Sequence, residues 1–137
     1  YLDKFVKHIK NKLKLPQKVN ADKKRVVVIA RKTNTRNIDH LLDEISEVLN
    51  KKDIKYNGVI YLEGKKLKSQ LEIWKDNDII ISPTGAALTQ SIFYNNDIVE
   101  LTFYKTDRYL KRLVELRGNN HHEVPVVDTI EWIRKNL

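Results

Sequence analysis

Three short stretches carry side chains able to do chemistry. The first is Ala30-Arg31-Lys32-Thr33-Asn34-Thr35-Arg36-Asn37, where two arginines and a lysine stand among small polar residues. A guanidinium is a planar fork of donors that matches phosphate oxygens, often in bidentate geometry. The competing reading is an exposed charged loop pairing with Asp39 or Asp43. The second stretch is Ser82-Pro83-Thr84-Gly85-Ala86-Ala87-Leu88-Thr89, a rigid turn running into a helical pattern whose first residues are tiny. Backbone N–H groups at a helix start are unpaired and sit at the positive end of the dipole. Gly85, Ala86 and Ala87 would let an anion approach that backbone, and Thr84 can cap the helix or donate its hydroxyl. The same residues also read as a Pro-Thr cap followed by small residues for helix–sheet packing. The third is Glu100, expected just after a strand. A carboxylate there commonly accepts bonds from ribose hydroxyls, or it pairs with a loop lysine such as Lys105. Glu63, just past an earlier strand, is a second candidate of that sort.

Other chemistries are thinly represented. There is no cysteine, which removes disulfides, thiolate zinc sites and a cysteine nucleophile. His121 and His122 are adjacent and therefore point different ways, and His8 and His40 lie far from them, so no metal-ligand spacing appears. No metal is expected. No Ser-His-Asp or paired-carboxylate arrangement stands out. Neither the G-x-G-x-x-G fingerprint nor a Walker sequence is present.

The elements that must position these residues alternate. Leu2, Phe5, Val6, Ile9 and Leu13 form one stripe of a helix over 2–13, ended by Leu15-Pro16. The run 25–30 (RVVVIA) is a β-branched strand suited to burial on both faces. Ile38, Leu41, Leu42, Ile45, Val48 and Leu49 give a helix with one apolar face. A strand over 58–62, a helix through Leu67, Leu71 and Trp74, a strand over 78–82, a helix over 85–94 and a strand over 97–103 follow. Tyr109, Leu110, Leu113 and Val114 define another helix, closed by Gly118; 122–126 is a short strand, and Asp128 caps a last helix carrying Ile130, Ile133 and Leu137. The alternation predicts an α/β, Rossmann-like, doubly wound parallel sheet of four or five strands with helices on both faces. Ligands of such sheets sit beyond the carboxyl ends of the strands, where the strand order switches.

Composition sets the outer bounds. The 137 residues make a single domain, 1–137, with 41% hydrophobic and 32% charged residues, an ordinary globular balance. No stretch approaches the roughly 20 apolar residues of a membrane span, and no signal-peptide pattern opens the sequence. Met is absent even at position 1, so the chain is expected to be part of something longer. The net charge of +8 admits a polyanion partner. The lysines, among them Lys7, Lys10, Lys12 and Lys14, are spread over the polar faces of several segments and are not interleaved with aromatics, so no nucleic-acid partner is expected. A basic nucleic-acid-binding α/β module remains an alternative reading.

The run 78–93 (DIIISPTGAALTQSIF), followed by Ile98-Val99-Glu100-Leu101, resembles the signature of glycosyltransferase family 61. That family typically reads D-hydrophobic-hydrophobic-I-G-x-H-G-A-x-L-T-N-x-x-F and then V-hydrophobic-E-hydrophobic. Upstream, Ile29-Ala30-Arg31-Lys32 with Arg36 is similar to its I-S-R-K…R segment, and Leu67 with Gln70-Leu71 to its L-x-x-Q-hydrophobic step. The likeness covers roughly residues 25–103 in order, and Val126-Val127-Asp128 with the last helix resembles the family's tail. The sequence departs from the pattern at Thr84, where histidine is common, at Gln90, where asparagine is common, and at Ala30, where serine is common.

The resemblance implies a GT-B architecture, with two Rossmann-like lobes facing a cleft. This chain would be the C-terminal lobe, binding a nucleotide-diphosphate sugar, usually a UDP-sugar, for inverting, metal-independent transfer to a glycan or protein acceptor. The donor is a substrate, and no cofactor is implied. Arg31, Arg36, Thr84, Gly85, Ala86 and Ala87 would hold the diphosphate and Glu100 the ribose. The other lobe of the same protein would face the acceptor and supply any catalytic base. The compartment would be the cytoplasm for a bacterial- or viral-like member and the secretory lumen for a eukaryotic-like one. The departures at Thr84 and Gln90 leave a non-catalytic, degenerate transferase domain as a further alternative.

Overall fold

A computed structural model describes residues 2–32, 38–103 and 120–137 of the chain. Five strands form one sheet: β1 (Arg25–Ala30), β2 (Lys55–Tyr61), β3 (Ile79–Pro83), β4 (Asp97–Thr102) and β5 (Asn120–Pro125). Their order is β2-β1-β3-β4-β5, and every neighbouring pair is parallel. Four α-helices are described: α1 (Leu2–Leu13), α2 (Asp39–Asn50), α3 (Leu67–Lys75) and α4 (Thr129–Asn136). The expected α/β sheet with helices on both faces is what forms.

Two apolar layers sandwich the sheet because alternate strand residues point opposite ways. Val27, Ile29, Ile80 and Ile98 face a layer that includes Val6 of α1 and Leu71 and Trp74 of α3. Val26, Val28, Ile79, Ile81 and Val99 face a layer built from Ile45 and Leu49 of α2 and Ile133 of α4. β1, β3 and β4 are buried on both faces, which is why β1 and the start of β3 read as β-branched runs rather than alternating ones. Each fully buried aliphatic side chain contributes about 1.5–3 kcal/mol relative to exposure.

The N-terminal ends of β1 and β3 are clipped together. Asp78 Oδ2 accepts the Arg25 backbone N–H at 2.8 Å and its Nε–H at 3.0 Å, while Oδ1 accepts from Nη2 at 3.1 Å. Burial pushes the Asp78 carboxyl up, but its hydrogen bonds to Arg25 prevail and hold it below its ordinary value.

Several boundaries differ from the periodicity. β2 begins at Lys55, not Gly58, and its pairing with β1 shifts between Val26 and Val28. Gly58 lies inside the strand at φ +89, so the glycine marks a bulge rather than a strand start. The segment after β3 is a 3₁₀ helix, Ala86–Phe93, not an α-helix. Three-residue winding stacks Leu88 and Ser91, both fully buried, one above the other. Asp128 occupies the N-cap of α4 without a side-chain cap bond; Thr129 Oγ1 instead donates to Val126 O at 2.8 Å. The helix expected through Tyr109 to Gly118 lies outside the described residues. No described helix is long and apolar enough to cross a membrane.

Candidate functional site

The strand order changes direction between β1 and β3, so their two following loops leave on opposite faces and open a crevice at the carboxyl edge. A cleft of about 350 Å³ occupies this place. Arg31 enters it from the end of β1, Glu63 and Gly64 from beyond β2, Ser82, Pro83 and Gly85 from β3 and its turn, and Gln70 and Gln90 from the two helices alongside.

Arg31 and Gly85 meet closely. A Cβ placed on Gly85 would stand 2.6 Å from Arg31 Nη2 and 3.1 Å from its Cζ. Only a residue without a side chain lets the guanidinium lie against this backbone. Gly85 itself is extended, at φ 178, and its carbonyl accepts the Leu88 N–H at 3.1 Å to start the 3₁₀ helix. A guanidinium and the first turn of a helix thus converge on one spot, an arrangement suited to an anion. Ala86 and Ala87 follow in that first turn. Arg36 lies outside the described residues.

Gly85, not Thr84, holds the N-cap position of the helix. The Thr84 hydroxyl donates to Glu100 Oε2, and the Thr84 backbone N–H donates to Leu101 O at 3.1 Å. The turn is therefore stapled to β4. Glu100 was expected beyond its strand but sits inside β4, with 0% exposure. Its other oxygen, Oε1, meets His121 Nε2 at 2.7 Å, and both side chains are wholly buried. Glu100 does not border the cleft. In the β4–β5 register Ile98 faces His121, so His121 lies diagonal to Glu100 on the same face of the sheet. His122 points the other way, its ring 5.3 Å from that of Trp132.

A chain of amides forms the wall opposite. Trp74, fully buried, donates its indole N–H to Gln90 Oε1 at 2.9 Å; Gln90 Nε2 donates to Gln70 Oε1 at 2.7 Å; Gln70 Nε2 donates to Lys65 O at 2.9 Å. This fixes the orientation of both glutamines between α3 and the 3₁₀ helix. Sequence reasoning singled out Gln90 without its partners, and it missed His121 as the partner of Glu100. The only signal available was a carboxylate set among Ile98, Val99 and Leu101, which demands a partner when buried.

The sequence model of the family described as "Glycosyltransferase 61" matches residues 1–100. The chain belongs to glycosyltransferase family 61. No curated protein matches the sequence. The family match takes in α1 and every residue lining the switch-point cleft, and it ends at Glu100. β5 and α4 lie beyond it, so His121 is supplied to a family-61 residue from outside the matched segment. Two departures from the family pattern also find their surroundings in this family-61 chain: Thr84 at the staple to Glu100, and Gln90 in the amide chain. Among the described residues no group of three or more potential ligands is placed to hold a metal.

Proposed function

We propose that this family-61 chain is the donor-binding lobe of a two-lobed, GT-B-type inverting glycosyltransferase, and that the switch-point cleft takes a nucleotide-diphosphate sugar, in the first instance a UDP-sugar. The observation that carries this reading is the seating of the Arg31 guanidinium on the Gly85 backbone at the start of a helix, at the point in the sheet where such folds bind ligands. A nucleotide diphosphate is a leaving group that gains negative charge as the glycosidic bond breaks. A preorganised cation and oriented backbone N–H groups stabilise that charge with little reorganisation, and no metal is needed for it. Arg36, on the same loop, joins Arg31 at the diphosphate in this reading. A second lobe of the same protein faces the cleft, binds the glycan or protein acceptor and supplies any base.

Calorimetric titration of the chain with UDP and UDP-sugars tests this. Binding that weakens at least tenfold in Arg31→Ala is the expected result. No binding of any nucleoside diphosphate, with no effect of Arg31→Ala, would remove the reading.

A further inference from the structure

We propose that Glu63, not Glu100, is the carboxylate that recognises the ribose hydroxyls of the bound nucleoside diphosphate; this rests on the donor-binding reading above. Glu100 has both oxygens engaged, one by Thr84 and one by His121, and no exposed surface. A hydroxyl pair could reach it only by breaking a buried staple. Glu63 is the opposite case: it is exposed and borders the cleft. Its Oε1 accepts the Lys32 backbone N–H at 3.2 Å, and its Oε2 has no partner among the described residues.

Placement favours the same role. Lys32 directly follows Arg31, so that hydrogen bond ties the carboxylate to the loop carrying the guanidinium. β1 and β2 are neighbours, and neighbouring strands lie about 4.8 Å apart. A diphosphate at Arg31 and Gly85 would set the adjoining ribose beside the β2 end. Glu63 has the acceptors that vicinal hydroxyls require, and its negative charge disfavours phosphate at that end of the cleft. Gly64, at φ +82, turns the chain immediately afterwards, and it too borders the cleft. In doubly wound sheets a carboxylate at the second strand's end commonly performs this task for dinucleotides. Here the same position is reached in a chain without the glycine fingerprint.

The test compares binding of UDP, 2′-deoxy-UDP and 3′-deoxy-UDP by calorimetry, in the wild-type chain, Glu63→Ala and Glu100→Gln. The wild type is expected to prefer UDP over at least one deoxy analogue by about ten- to a hundredfold, the size of a hydrogen bond to a charged group. In Glu63→Ala that preference should collapse to less than about threefold, with the exposed site leaving the fold intact by circular dichroism. UDP binding with an unchanged preference in Glu63→Ala would overturn this inference alone, as would a preference lost in Glu100→Gln but kept in Glu63→Ala. Absence of any nucleoside diphosphate binding to the wild type would overturn the donor reading and this inference together.

Discussion

Glu100 of β4 and His121 of β5 are joined by a 2.7 Å contact between Oε1 and Nε2, and neither side chain has any exposed surface. Oε2 of the same carboxylate takes the Thr84 hydroxyl, so one buried group ties the sheet's edge strand to the turn that opens the 3₁₀ helix. Removing one partner of a buried pair leaves the other desolvated and uncompensated. His121→Ala is therefore expected to lower stability by about 1–3 kcal/mol, the cost of leaving a buried polar group without one of its partners, read from urea unfolding. His121→Gln keeps an N–H donor near Glu100 and should lose clearly less. An alanine variant within about 0.5 kcal/mol of wild type would contradict the structural role.

Gly85 makes room for Arg31 rather than for an unusual backbone, since its φ of 178 is available to any residue. Gly85→Ala should therefore fold with a stability change below about 1 kcal/mol. The new methyl group must push the guanidinium off the helix start. Nucleoside diphosphate binding should weaken about tenfold, in keeping with a lost charged hydrogen bond. Parallel calorimetry and urea unfolding separate the two quantities; full binding by Gly85→Ala would show that Arg31 need not lie there.

The amide chain predicts an ordered pair of effects. Gln90→Leu leaves the buried Trp74 N–H without its acceptor and is expected to cost about 1–3 kcal/mol. Gln70→Leu leaves the Trp74–Gln90 bond in place and should cost less. Urea unfolding of the two variants checks the order, and near-ultraviolet circular dichroism should change chiefly in the first.

Much of this arrangement was legible in the residues. β1 announced itself as RVVVIA, and α2 by its apolar spacing, because burial on two faces or on one stripe writes directly into side-chain type. Arg31 and Gly85 could be placed at one edge because the βαβ alternation puts successive loops there. Their mutual contact could not, since it depends on a side-chain conformation. Glu100 was legible as a carboxylate near the end of its strand, but its burial and its partner His121 depend on the β4–β5 register, which no local pattern encodes. The 3₁₀ winding of Ala86–Phe93 was hidden because an eight-residue segment is too short for its spacing to separate the two helical periods. Gly58 looked like a start because a bulge interrupts the period-two pattern there.

The Asp78–Arg25 clip gives a pH dependence. Burial pushes the Asp78 carboxyl upward, but the Arg25 hydrogen bonds outweigh it and leave the carboxyl below its ordinary value near 3.8. A carboxyl depressed in the folded chain stabilises fully above the unfolded value, and that stabilisation is lost as pH falls through the folded one. Wild-type stability should thus exceed that of Asp78→Asn near neutrality, and the gap should close as pH drops below about 4. Urea midpoints measured from pH 7 to pH 2.5 check this; a gap independent of pH would mean that Asp78 acts through shape alone.

The brace beneath the Thr84 turn also bears on how such a chain can drift. Position 100 lies at the last residue of the family match and position 121 lies past it, yet the two share one buried contact. Loss of either alone strands the other, whereas replacing both by apolar residues of similar shape can be nearly neutral. The turn beside Arg31 is therefore mechanically coupled to the edge strand, and a graft that replaced β5 would have to bring its own counterpart for Glu100.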